Sequence, residues 1–209
     1  MRRTVSLVLL LTLFTALSFA QENGQLTPDE RQQAVEHLTQ TKQKFLDSVK
    51  GLSAEQLNFK SAPDRWSVSD IAEHLALAEE MFSGMILGKI MKETPATPEK
   101  RVAAQGKEKE LLKIVGDRSQ KFQAPEMLQP GKKRWASIED TLKAFNAKRD
   151  EHLAYLKTTN DALHHHFAAA PGGTNELDAW QWFLFMSAHV ARHTAQIEEV
   201  KADPKFPRS

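Results

Sequence analysis

Ala179-Trp-Gln-Trp-Phe-Leu-Phe-Met-Ser-Ala-His-Val-Ala-Arg-His-Thr-Ala-Gln-Ile197 is the stretch on which the fold turns. Trp182, Phe185, Met186, His189, His193, Gln196, Ile197 and, just beyond, Val200 recur at intervals of three and four. That is the period of one helix face, so a long helix is expected from about Glu176 to Ala202, ended by Asp203-Pro204. His189 and His193 stand four apart, so both imidazoles rise from the same face. That face is the apolar one, where an imidazole needs a partner.

The same period recurs upstream. Ser67-Val-Ser-Asp70 has the form of a helix start, and Val68, Ile71, His74, Leu75, Ala78, Phe82, Met85 and Ile86 form the stripe of a helix reaching about Met91. His74 lies inside that stripe. Thr27-Pro-Asp-Glu30 is a capping box with proline at the first helical position, opening a helix to about Lys50 before Gly51. Ser53-Ala-Glu-Gln56 reads as a short capped turn, and Ser137-Ile-Glu-Asp140 opens a helix with Ile138, Leu142, Phe145, Leu153 and Leu156 inward. No segment has the period-two alternation of a strand. Four long amphipathic helices make the expected fold class all-α, a four-helix bundle.

The intervening segments are long. Between Lys92 and Arg134, Pro95, Pro98, Pro125 and Pro130 break the pattern, and the charged Glu99–Lys113 portion suits a short exposed helix. A connection of this length between the second and third long helices implies a functional segment or a lid. Asn160 to Thr174 is a second break, holding His164-His-His166. Those three side chains diverge, and the run is expected to be exposed, with an auxiliary metal contact as the alternative.

Residues 1–20 combine Arg2 and Arg3, an apolar run from Val5 to Phe14 and a small-residue site at Ser18-Phe19-Ala20. This reads as a secretory signal peptide cut after about Ala20, with an uncleaved anchor as the alternative. Residues 21–209 would then form a single exported domain, secreted or periplasmic, with no membrane association after cleavage. The chain of 209 residues has a formal net charge of +1. Losing the two arginines leaves the remainder slightly acidic, which argues against nucleic acid as a partner. There is no cysteine, which rules out disulfides, thiolate ligands and a cysteine nucleophile together.

Trp66-Ser-Val-Ser-Asp-Ile-Ala-Glu-His-Leu75 and the Ala179–Ile197 stretch resemble the two signature helices of the DinB/YfiT-like superfamily. Phe122-Gln-Ala-Pro-Glu-Met-Leu-Gln-Pro130 and Trp135-Ala-Ser-Ile-Glu-Asp140 are similar to the connection and third-helix start of the same group. The resemblance implies a four-helix bundle whose His74, His189 and His193 hold a divalent ion such as zinc or nickel. Better-understood members of that group transfer low-molecular-weight thiols or isomerise substrates with them. The resemblance therefore implies a small-molecule substrate, and it allows a homodimer. Hydrolysis or thiol transfer is the chemistry expected here. An ion held by three neutral imidazoles keeps an open position and can lower the pKa of water to about 7. An exported metal-binding or interaction module without turnover is the alternative reading.

Other residues carry weaker expectations. Gln196 could orient a ligand imidazole or a water on the ion, or merely mark the stripe boundary. Arg192 could meet an anionic substrate, with a surface ion pair as the simpler alternative. Glu73 points about 100° away from His74 and is a weak candidate base. His152 suits packing or the rim, and the four tryptophans read mainly as structural.

Overall fold

The computed structural model describes residues 23–119, 121–171 and 175–208; the expected signal peptide lies outside the described residues. Four long helices dominate: α1 Pro28–Val49, α3 Val68–Gly88, α6 Ile138–Thr158 and α7 Ala179–Lys201. The shorter α2 Ala54–Asn58, α4 Pro98–Ala104 and α5 Glu108–Gly116 lie in the connections. Each long helix starts where a side chain accepts from an orphan backbone N–H: Thr27, Ser67, Ser137 and Asp178. Such caps each contribute about 1 kcal/mol.

α1 packs against α6 and α7, and α3 packs against the same two helices. Successive long helices α1 and α3, and again α6 and α7, therefore sit across the bundle diagonal. The intervening segments are long enough to make these crossings, which tight two-residue turns could not.

The core has two apolar halves. One gathers Leu38, Phe82, Leu156, Trp182, Phe183 and Met186. The other gathers Phe45, Ile71, Leu75, Phe145, Val190 and Ile197. Between them runs a buried polar layer that touches all four long helices. Arg149 Nε donates to Glu79 Oε2 at 3.1 Å, a second nitrogen of Arg149 meets Glu79 Oε1, and His152 Nδ1 lies 3.1 Å from Glu79 Oε2. Arg149 also reaches Thr41 Oγ1 at 3.3 Å, and Thr41 meets Ser187 Oγ at 3.1 Å.

Three expectations need correction. α3 ends at Gly88 rather than Met91, and a single 3-10 turn over Ile90–Lys92 follows. The last helix begins at Ala179, because Glu176–Asp178 forms strand β2, antiparallel to β1 Phe167–Ala169. A three-residue strand is too short to show alternation, so no periodicity could reveal it. The 92–134 connection is ordered into α4 and α5, separated at Gly106, whose φ of +76° suits a residue without a Cβ. Leu111 and Leu112 of α5 pack on the core, while Lys109, Glu110, Lys113 and Ile114 face water.

The run His164–His166 is half-buried, not exposed, and each ring has a separate task. His166 Nδ1 donates to the Glu93 carbonyl at 2.8 Å, and His165 meets Arg101. His164 Nδ1 lies 2.8 Å from Asp178, the cap of α7, and its Nε2 lies 3.4 Å from Glu30 in the capping box of α1. Burial disfavours a charge on His164, but the hydrogen bonds and charges of Asp178 and Glu30 prevail and hold its pKa up to about 10. The folded chain therefore binds this proton more tightly than the unfolded chain does. Its stabilisation is complete below the ordinary value of 6.5 and is lost as pH rises towards 10. Urea midpoints of the wild type should fall across that window, whereas those of His164→Gln should start lower and stay flatter. Parallel curves would remove His164 as the cause.

Candidate metal centre

α3 and α7 bring His74, His189 and His193 together. Their ring centroids lie 5.1 Å apart for His74 and His189, and 4.5 Å apart for each of the other two pairs. One ring nitrogen from each, all within 4.8 Å of one another, can hold a metal ion. The convergence has a local cause. The i,i+4 pair presents one face of α7, and the Ser67 capping box sets where α3 begins and hence which way His74 points.

The outer hydrogen bonds select the tautomers. His74 Nδ1 lies 2.8 Å from the Leu128 carbonyl, which can only accept, so Nδ1 carries the proton and Nε2 is bare. His193 Nδ1 donates to Gln196 Oε1 at 2.9 Å, again leaving Nε2 bare. His189 Nε2 approaches His74 Nε2 at 3.2 Å, while His189 Nδ1 is enclosed and has no hydrogen-bond partner among the described residues. Two imidazole lone pairs do not face each other so closely unless a proton or a cation lies between them. The donor set therefore fits a divalent ion: neutral nitrogens, convergent, two of them oriented from behind.

Electrostatics favours the same state. Burial lowers the pKa of His74; burial, followed by the charges of His193 and His74, holds His189 well below the ordinary value. Burial and the neighbouring His74 bring His193 down to about 3. All three are neutral at pH 7, as ligands must be. His74 and His193 are 2 % and 9 % exposed, and His189 keeps partial exposure although its Nδ1 is enclosed.

Aromatic rings wall the site. Trp66 lies 4.9 Å from His74 and 6.1 Å from His193, while Phe82 and Phe185 lie 5.6 Å and 6.4 Å from His189. Trp66 is thus part of the centre rather than only a helix-start residue. Its position directly before the α3 cap, on the approach to His74, was the signal available in the sequence. Gln196 makes the contact that an imidazole-orienting role requires, through Oε1 to His193 Nδ1.

Arg192 is not at the surface. It is 8 % exposed, donates to the Asp117 carbonyl and lies with its guanidinium 5.3 Å from the Phe122 ring. Glu73 accepts from the backbone N–H groups of Gly131 and Arg134 at 2.7 and 3.0 Å, which commits it to holding the connection. His152 belongs to the polar layer with Glu79. Neither the Leu128 carbonyl nor Arg118, 3.3 Å from Gln196, was legible as a site residue, because both come from the pattern-poor connection.

A family model described as the DinB superfamily matches residues 37–197. The chain belongs to the DinB superfamily. This DinB-superfamily chain is 27% identical over 155 residues to the uncharacterised protein YuaE of Bacillus subtilis, covering 74% of the chain and 89% of YuaE. It also superposes on YfiT of Bacillus subtilis with a TM-score of 0.57 and 14% identity, over 87% of the chain and 91% of YfiT. YfiT is described as a probable metal-dependent hydrolase with an unusual four-helix bundle topology. At that identity the likeness is one of fold.

Proposed function

We propose that this DinB-superfamily protein is a metal-dependent hydrolase of small molecules, with His74, His189 and His193 as the ligands of one divalent ion, zinc or nickel. The observation that carries the reading is the convergence of three neutral imidazoles within 4.8 Å, two with Nδ1 tied back so that Nε2 is free. Such an ion supplies a Lewis acid and brings the pKa of water to about 7. The chain's own residues do the rest. Leu128 and Gln196 hold two rings in the ligating tautomer, Trp66, Phe82 and Phe185 present an apolar wall, and a substrate would approach from the side of His189, the most exposed of the three rings.

Hydrolysis is preferred to thiol transfer for two reasons. The fold neighbour YfiT is described as a probable hydrolase. Residues 1–20 read as an export signal, and thiol cofactors are scarce outside the cell whereas water is not. One observation favours the second reading, a binding module without turnover. The carboxylates of Glu73, Glu79 and Glu199 are each engaged, by backbone N–H groups, by Arg149 and by Arg118, so none is free to move a proton at the site.

The test is to strip the purified protein with a chelator, refill it with zinc or nickel, and assay small esters, amides and lactones. About one ion per chain and metal-restored hydrolysis that His74→Ala abolishes is the expected result. Full loading without turnover on any substrate class would leave the binding module, and failure to load would remove both readings.

A further inference from the structure

We infer that Arg118, in the connection, is a positioning residue for the metal centre: it sets the Gln196 amide that decides the tautomer of His193. This rests on the metal reading above and names a residue outside the histidine set.

The geometry runs in a line from surface to ligand. Arg118 Nε and Nη2 bind the two carboxylate oxygens of Glu199 at 3.0 and 2.6 Å, which fixes the plane of the guanidinium. The remaining Nη1 points at Gln196 Oε1 at 3.3 Å. The same oxygen accepts from His193 Nδ1 at 2.9 Å. A guanidinium only donates, so it requires the oxygen end of the amide to face it. With the oxygen held there, His193 can approach only with a protonated Nδ1, and its Nε2 is then bare for a metal.

Without Arg118 the amide is free to turn over and present its NH2 group. That group donates, so it would pair with an unprotonated Nδ1 and place the proton on Nε2. A protonated Nε2 cannot ligate. The cost of losing Arg118 is therefore a tautomer penalty, felt in metal affinity, rather than a lost packing contact. Outer partners of ligating histidines typically contribute ten- to hundredfold in affinity.

The connection reaches the centre a second time, through the Leu128 carbonyl on His74 Nδ1. The 92–134 segment thus touches a ligand on α3 and, through Gln196, a ligand on α7. By reciprocity, a segment that raises metal affinity when docked is itself held down by metal.

The experiment is a competition titration of zinc against a chromophoric chelator. It uses the wild type, Arg118→Ala, Gln196→Ala, the double variant and His189→Ala, with thermal midpoints of the metal-free forms alongside. Each of the first two single variants should bind zinc about tenfold more weakly at an unchanged metal-free midpoint. The double variant should be no weaker than Gln196→Ala alone, because Arg118 acts only through that amide. Zinc should also slow protease cleavage within the connection of the wild type, and slow it less in Arg118→Ala. Wild-type affinity in Arg118→Ala, or losses that simply add in the double variant, would overturn the inference while leaving the centre intact. A folded wild type that binds no more zinc than His189→Ala would overturn the metal reading itself, and this inference with it.

Discussion

Arg149→Ala is expected to destabilise the fold by about 3–5 kcal/mol, a large part of the stability of a domain this size. Arg149 is 0 % exposed and Glu79 is 1 % exposed, so truncating the arginine leaves a buried carboxylate with His152 beside it and without its cation. Burial pushes the Glu79 carboxyl up, but the Arg149 charge and the hydrogen bonds from His152 and Arg149 outweigh this and hold it below its ordinary value. The folded state thus binds that proton more weakly than the unfolded chain. The associated stability is present above pH 4.5 and is lost as pH falls. The loss should be read from urea unfolding at pH 7.

A second variant separates a stranded charge from a lost contact. Replacing both partners, Glu79→Leu with Arg149→Met, should recover part of the stability, since it removes the stranded charge while His152 loses the Glu79 oxygen beside its Nδ1. A change of less than about 1 kcal/mol in Arg149→Ala would show that water or a rearranged neighbour compensates Glu79, and the polar layer would lose its structural importance.

The second large effect is chemical rather than structural. His189→Leu should weaken metal binding about a hundredfold or more, because roughly 10–16 kcal/mol of metal affinity is shared among few ligands. In the metal-free protein the same change should move stability by less than about 1 kcal/mol. Among the described residues, His189 Nδ1 is enclosed without a hydrogen-bond partner, and Nε2 meets another imidazole at 3.2 Å. A leucine brings similar bulk and no stranded nitrogen. Metal retention by this variant in dialysed samples would refute the site. A metal-free loss of several kcal/mol would make His189 an ordinary packing residue.

The histidine centre was readable early because its parts lie on periodic segments. His189 and His193 share a face by spacing alone, and His74 sits within the apolar stripe of α3. The resemblance of the Trp66–Leu75 and Ala179–Ile197 stretches then joined the two segments, and the DinB-superfamily match over residues 37–197 agrees with it. The partners behind the ligands were a different matter. Leu128 contributes a backbone carbonyl, a group every residue carries, so its identity held no information. Arg118 sits 78 residues from Gln196, on a segment with no period to orient it.

Glu79 shows a second limit. Within α3 it lies one position past the inward Ala78, where a charged residue ordinarily marks the edge of a solvated face. Only the arrival of Arg149 and His152 from α6 turns that position into buried, satisfied core. Arg192 was misread for the same reason, since the chain that covers it comes from around Asp117.

The four long helices, the caps at Thr27, Ser67 and Ser137 and the apolar stripes were set by the sequence alone, because they depend on residues three and four apart along one chain. Tertiary structure alone decided which helices lie across the diagonal, which charges are buried in pairs, and what stands behind each imidazole. Those outcomes depend on groups brought together from distant segments, and no local pattern encodes which of them will meet.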